Sequence, residues 1–520
     1  MEEKTLHTHR EELKKKGKKG LLRLLFSRTG LVALILLANV GLAVYLAGSF
    51  GQYYFTAASV LSVVMTLVLL SSRSNAMVKV TWLVLFLVMP VFGTMLYLYT
   101  RSDLGHRALQ RRVDEVLQDR RPVGEQPDAR QRLEQVDPGA AGLSRYLQRC
   151  GFGTYQQTDV TYFPSGEAKF QAMLEQLEQA RHYIYLEYFI IDKGVMWDSV
   201  LDILRRKAAQ GLDVRVLYDG TCEMGRLPRG YHRQLAAWGI RSKAFAPLMP
   251  FLSTHYNYRD HRKILVIDGQ VAFTGGVNLA DEYINRVEVY GHWKDAAAMI
   301  RGSAVVSFTR LFLEMWCLEG RGNVEPVPAP LPVPLPGTSG FVIPYGDCPL
   351  DADMVGERVY MDILNRARRY VHIMTPYLLL DGELETALEY AAQRGVEVVL
   401  ILPGVPDKKI PYALAKTHYP ALMDAGVQIY EYVPGFVHAK VFVCDDREAT
   451  VGTVNLDYRS LYHHFECGTY LWGTSCIRQM EEDFQDTLKR CRLVTRQGLK
   501  KDKWTRRLTG FVLKAISPLL

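Results

Sequence analysis

His261-Arg-Lys263-Ile-Leu-Val-Ile-Asp268, six residues, then Gly275-Gly276-Val-Asn278: about 180 residues later the chain repeats this phrase. The second copy is His438-Ala-Lys440-Val-Phe-Val-Cys-Asp445, six residues, then Gly452-Thr453-Val-Asn455. Both copies follow HxKx4Dx6GxxN. The chain has 13 histidines, and at about 5% each for Lys and Asp one chance HxKx4D is expected about 0.03 times. Two copies sharing the downstream Gly and Asn are a duplication. In an extended strand residues two apart face the same way, so His261 projects with Lys263, and His438 with Lys440. The apolar residues that follow carry each strand into a core. A glycine turn then lets backbone approach a ligand and delivers Asn278 or Asn455 to it. One His, one Lys and one amide from each copy make a compact cationic pocket for a single phosphate. Neutral His can attack phosphorus and protonated His can protonate a departing alkoxide. Lys and Asn meet charge on the other oxygens, and the scheme needs no metal and no cofactor. The candidate catalytic set is His261, Lys263, Asp268, His438, Lys440 and Asp445, with Asn278 and Asn455 on the phosphate. Within it the two aspartates read as organisers of the strand end more than as groups touching substrate.

Outward from the motifs the repetition continues. Ala180-Arg-His-Tyr-Ile-Tyr-Leu-Glu-Tyr188 and Ala367-Arg-Arg-Tyr-Val-His-Ile-Met-Thr-Pro-Tyr377 each read as a helix end running into a buried strand. Each is followed by a helical pattern and a Val-rich strand, the rhythm of a βαβ unit. The body therefore reads as two α/β lobes, 150–323 and 338–495. Between them residues 324–337 hold six prolines, an extended polyproline spacer. His182, His372, His418, His463 and His464 read as packing or surface residues. Glu187 with Tyr188, and Thr375 with Tyr377, fit either the cleft or the core.

The first hundred residues differ in kind. Residues 1–28 carry nine Lys/Arg; the next 44 carry no charge, and 80–100 carry none either. Such a stretch is long enough for two crossings of a 30 Å hydrocarbon core. The expected spans are about 31–47 and 55–71, divided at 48–54, with 80–100 a third apolar segment broken by Pro90 and read as re-entrant. Basic residues 1–29 and the arginines of 101–121 place both flanks in the cytoplasm by the positive-inside rule; three true crossings are the alternative. Residues 101–149 read as a juxtamembrane connector. Residues 496–520, basic with an apolar stripe, read as an interfacial helix. The 520 residues, 48% hydrophobic and 23% charged, exclude a wholly disordered or fibrous chain. A net charge of +8 favours anionic partners. Eight cysteines without a CxxC pair argue against a zinc site and a disulfide framework.

The duplicated motif resembles the hallmark of the phospholipase D superfamily. Asn257-Tyr-Arg-Asp-His-Arg-Lys-Ile-Leu-Val-Ile-Asp-Gly269 and Asn455-Leu-Asp-Tyr-Arg-Ser-Leu461 are similar to bacterial cardiolipin synthase signatures, over about residues 30–520. The resemblance implies an α/β fold of two homologous phospholipase D-like βαβ-sandwich lobes forming one active site, behind an N-terminal α-helical membrane anchor. It implies Asp295 and Glu466 as the acids that orient the histidines, with His261 the nucleophile by analogy. It further implies a phosphatidyltransferase in the bacterial cytoplasmic membrane, multi-pass, with its lobes on the cytoplasmic side. The partners would be anionic phospholipids, phosphatidylglycerol above all, and not nucleic acid. A hydrolase, or a transferase using another alcohol, is the nearest rival. A nuclease is the more distant one, because apolar spans and an amphipathic tail serve no nuclease.

Overall fold

The structure, a computed structural model, describes residues 28–500 except 73–75, 103, 119, 248–256, 321, 330–334 and 336. The duplication seen in the motifs extends to whole sheets. The first lobe contributes β1 (Thr158–Phe163), β2 (Tyr183–Tyr188), β3 (Asp213–Asp219), β4 (Arg241–Phe245), β5 (Arg259–Asp260), β6 (Lys263–Ile267), β7 (Val271–Gly275), β8 (His292–Lys294) and β9 (Ala297–Gly302). The second contributes β10 (Phe341–Asp347), β11 (Tyr370–Met374), β12 (Glu397–Pro403), β13 (Gln428–Tyr432), β14 (Gly435–Val437), β15 (Val441–Cys444), β16 (Glu448–Gly452), β17 (His464–Trp472) and β18 (Cys491–Leu493). The main sheets run β1-β9-β7-β6-β2-β3-β4 and β10-β17-β16-β15-β11-β12-β13, the latter extended by β18. Strand for strand the two orders coincide. In each sheet the βαβ units pair in parallel, β2-β3-β4 and β11-β12-β13. The motif strands β6 and β15 join them antiparallel.

The central strands are buried along their length, as expected of strands covered on both faces. Helix Val305–Leu318 buries nearly all its side chains, and one continuous core joins it to the facing sides of both sheets. Two short exchanges tie the lobes at the motifs. β5, just before His261, pairs in parallel with the start of β17, and β14, just before His438, pairs in parallel with β8. His261 N donates to Phe465 O at 3.0 Å and His438 N to Lys294 O at 2.7 Å. Each motif histidine is thus hung on a strand of the other lobe.

From Ala108 onward the segment read as a connector is part of this body. Helix Pro138–Arg149 places Leu143 and Leu147 in the shared core. The Arg120 guanidinium is sealed against Glu314, both side chains buried, and Trp472 Nε1 donates to Asp137. The spacer begins on the body as well, where Glu325 takes the Arg215 guanidinium at 2.8 Å through both oxygens.

The N-terminal unit departs from expectation. Instead of two spans with a turn at 48–54, Arg28–Leu70 is one helix of 43 residues, about 64 Å long. The glycines and aromatics of 48–54 lower helix propensity but remove no backbone donor, and a helix keeps every such donor paired in apolar surroundings. Among the described residues one stretch, Tyr53–Leu70, is long and apolar enough to cross a membrane, with mean hydropathy 1.9. Helices Ala76–Val88 and Pro90–Ser102 fold back on each other at Met89, since the Trp82 and Tyr97 rings meet at 5.2 Å. The proline has no N–H to continue the ladder. Gly93 makes the close approach, because a Cβ there would stand 3.0 Å from Leu85 O. The interfacial helix expected over 496–520 lies, beyond Lys500, outside the described residues, as do residues 1–27 of the basic N-terminus.

Candidate active site

Both histidines are buried and each is gripped by a carboxylate from the opposite lobe. His261 Nδ1 lies 2.8 and 2.9 Å from the oxygens of Glu466, and His438 Nδ1 lies 2.8 Å from Asp295 Oδ2. A carboxylate only accepts, so each Nδ1 carries the hydrogen and each Nε2 keeps its lone pair. The carboxylates are held in turn. Asp295 accepts from Ala296 N at 2.8 Å and Trp293 Nε1 at 3.4 Å, and Glu466 accepts from the Thr453 hydroxyl. The turn after each motif shows why its second residue differs. A Cβ at Gly276 would fall 2.0 Å from Asp295 Oδ1, whereas in the second lobe Thr453 fits and supplies a donor.

Lys263 and Lys440 stand beside the histidines on the same strand faces, each Nζ donating to its own motif's histidine carbonyl. Burial pushes Lys263 down to about 8 and Lys440 down to about 7, against the pull of both carboxylates. Burial, then the neighbouring lysines, likewise lowers the histidines: His261 falls well below its ordinary value and His438 falls to about 4 despite Asp295. Burial alone would raise Asp295, but His438 and Lys440 hold it below the usual carboxylate range. A negative charge brought near these four groups favours their protonated forms, against the burial that lowers them.

Asp268 and Asp445, the remaining members of the candidate catalytic set, lie at the far ends of the motif strands from the imidazoles. Each ends its motif strand five residues beyond the lysine, roughly 16 Å at strand rise. There Asp268 accepts from the N–H groups of Arg181, His182 and Tyr183 at 2.7–2.8 Å. Asp445 does the same for Arg368, Arg369 and Tyr370 at 2.8–2.9 Å. Both sit at positive φ, 53° and 54°, in turns that clamp the neighbouring strand of each βαβ unit. Their carboxylates are spent on these backbone donors at the far end of each motif strand.

A cavity of about 650 Å³ opens onto both rings and onto Asn278 and Asn455. Asn278 is already committed, accepting from Ile190 N and donating to Tyr283 OH. Asn455 Oδ1 is buried with no partner among the described residues. Tyr377 lines the cavity, while Glu187 and Tyr188 are interior residues. Of the histidines set aside in the sequence, His372 and His418 are tied to Glu481 and Glu385, but His464 was misread. It lines the cavity with its ring 5.1 Å from that of His261, and its Nδ1 lies 3.5 Å from the Glu466 oxygen that His261 uses. Two residues before the other acid stands Trp293, packed 5.4 Å from His438. Its equivalence to His464 is a register that only the paired strands reveal. His261, His464 and Glu466 also have donor atoms within 4.8 Å of one another, a set that suits zinc chemically. Two buried lysines beside it oppose a cation.

Duplicated mixed sheets with two crosswise His–carboxylate pairs facing one shared cavity define an enzyme of the phospholipase D superfamily. The family model described as cardiolipin synthase, PLD-like domain, matches residues 173–316 and 360–488, and that described as phospholipase D-nuclease N-terminal matches 59–101. The chain belongs to the cardiolipin synthase family. Cardiolipin synthase 2 of Bacillus anthracis is 32% identical over 446 residues, 85% of this chain and 86% of that one. Cardiolipin synthase of Geobacillus kaustophilus is 33% identical over 451 residues, 85% and 88%. A protein of Streptococcus mutans described as uncharacterized is 50% identical over 457 residues, 87% and 99%. Among solved structures, phosphatidylserine synthase of Haemophilus influenzae shares the fold with a TM-score of 0.53 at 15% identity, over 71% of this chain and 97% of that one.

Proposed function

We propose that this chain is a membrane phosphatidyltransferase that makes cardiolipin and glycerol from two molecules of phosphatidylglycerol through a phosphatidyl-histidine. The observation that carries the reading is the crosswise pairing, which leaves two Nε2 atoms, one from each lobe, for a single phosphodiester. His261 Nε2 gives its lone pair to phosphorus as the bond to the headgroup glycerol oxygen breaks. His438, protonated when the anionic substrate binds, passes its proton to that oxygen. Glycerol leaves and His438 is neutral. It then takes the proton from a headgroup hydroxyl of a second phosphatidylglycerol, whose oxygen attacks phosphorus. The phosphorus–nitrogen bond breaks and the lone pair returns to His261. Lys263, Lys440 and Asn455 meet the charge on the remaining oxygens, and Glu466 and Asp295 stabilise each imidazolium as it forms.

Residues 28–102 attach the enzyme to the bacterial cytoplasmic membrane. The six arginines of 101–121, in the stretch that leads from the apolar helices into the body, favour lobes on the cytoplasmic side. The test is the lipid product profile of purified enzyme in phosphatidylglycerol vesicles. Cardiolipin and free glycerol in equal amounts support the reading. Phosphatidic acid without cardiolipin would make water the acceptor and the chain a hydrolase.

A further inference from the structure

Around the mouth of the cavity the surface changes character. Among the described residues four neighbouring segments border it. Segment 222–229 carries the cavity-lining Arg226, and 285–291 carries Val289 and Tyr290. Segment 404–410 carries Asp407 and Lys408, and the turn 433–435 precedes Phe436. They are tied through their flanks: His292 N, just past 285–291, donates to Pro434 O at 2.9 Å, Val405 N to Gly435 O at 3.1 Å, and Arg226 to Glu282, just before that segment, at 3.1 Å. Among the described residues of the body ten large apolar side chains are exposed, and six of them, Met224, Val287, Val289, Val405, Ile410 and Val433, lie on these segments. Met224 is 71% exposed and Val433 59%. The exposed charges there are Arg229, Arg286, Lys408 and Lys409, against Glu288 alone. These valines and the methionine leave much of their apolar surface outside the core. Interleaved with cations, they match the boundary between acyl chains and anionic headgroups.

We propose that this rim is a membrane-seating surface, which sets the cavity mouth onto the face of an anionic bilayer so that a lipid phosphodiester reaches the two histidines without leaving its leaflet. The apolar tips enter the acyl boundary and the four cations lie at the phosphate level. The inference rests on the lipid-transfer reading above, and its test separates the two.

Full-length enzyme is compared on phosphatidylglycerol in bilayer vesicles and on a short-chain phosphatidylglycerol kept monomeric in solution. The double variant Val287→Asp/Val433→Asp, at side chains that do not line the cavity, is expected to lose about tenfold or more on vesicles and less than about twofold on the monomeric substrate. Arg286→Glu/Lys409→Glu is expected to lose about fivefold per cation on vesicles, with weakened salt dependence. A polarity-sensitive fluorophore on Val433→Cys should shift to the blue and be quenched by a lipid-borne quencher in phosphatidylglycerol vesicles, while one on exposed Tyr390→Cys should not. Equal losses on both substrates, no loss on vesicles, or a water-like signal at position 433 would overturn the seating surface. So would a blue shift at 433 that appears without lipid, which would mark an interface with a second copy. If the wild type transfers nothing from either substrate the functional reading falls, and the fluorescence comparison still decides the rim.

Discussion

Replacing Glu466 by Gln keeps the size and one acceptor oxygen but removes the charge beneath His261. The carboxylate is buried, 2.8 and 2.9 Å from His261 Nδ1, so its charge centre lies about 4 Å from the ring's. At an effective dielectric of about 20 that separation is worth about 4 kcal/mol to an imidazolium. Little of this is felt while the ring is neutral, the form that burial and the lysines favour; it grows as Nε2 binds phosphorus. The loss therefore falls on the barrier, and about 4 kcal/mol corresponds to roughly a thousandfold in rate. Asp295→Asn makes the same change under His438, where it should slow protonation of the glycerol leaving group and activation of the acceptor. The assay is single-turnover kinetics with two donors, phosphatidylglycerol and a phosphatidyl ester of nitrophenol, whose leaving group needs no proton. Glu466→Gln should slow adduct formation about equally with both. Asp295→Asn should slow it with phosphatidylglycerol and spare it with nitrophenol. Thermal melts verify folding, since Glu466 also holds Thr453. A Glu466→Gln enzyme within tenfold of wild type, or the two variants exchanging their patterns, would refute the assignment.

Asp268→Asn and Asp445→Asn should act on stability, because each removes one of two oxygens that receive three backbone donors. A cost of about 2 kcal/mol read from denaturant melts, with kcat within about threefold below the transition, is expected; a hundredfold loss of kcat with an unchanged melt would return them to the chemistry. KM for phosphatidylglycerol should rise above pH 7–8, by up to about tenfold per pH unit for each lysine, as Lys440 and then Lys263 lose protons in the free enzyme and binding must recruit them; initial rates across pH 6–9 check this. Stability has its own window. His438 at about 4 leaves the unfolded chain binding the extra proton below about pH 6.5, so its contribution is intact above 6.5 and falls by about 1.4 kcal/mol per pH unit toward 4. Activity should persist in excess chelator, as Lys263 and Lys440 meet the phosphate charge; loss restored by a divalent metal would show instead that His261, His464 and Glu466 hold an ion the reaction needs.

The duplicated HxKx4Dx6GxxN announced two lobes, and the Val-rich strands around Tyr185 and Ile373 announced the βαβ units, because alternation and turn residues are local signals. The two acids, Asp295 and Glu466, came through the family resemblance, but which histidine each serves was not legible. Nothing near His261 in the chain says that its partner is Glu466, more than 200 residues away, since that pairing is made by β5 lying along β17. For the same reason His464 looked like one more packing histidine. The aspartates of the motif were legible as strand-end organisers, but their three backbone partners come from another strand of the same lobe. The apolar stretch 29–72 was visible as apolar; its turn at 48–54 was inferred from glycines that a continuous helix accommodates.

The central claim is a single phosphate passed through His261. Purified His438→Ala and His261→Ala enzymes are mixed with a nitrophenyl ester of phosphatidic acid labelled in its acyl chains, quenched at milliseconds to seconds, and the label on protein is measured and mapped. His438→Ala is expected to release one equivalent of nitrophenol, carry the label on His261 and stall, for want of a base to activate the acceptor. His261→Ala is expected to carry none. Label on His261→Ala but never on His438→Ala would reverse the roles, and label on neither protein would contradict the histidine intermediate itself.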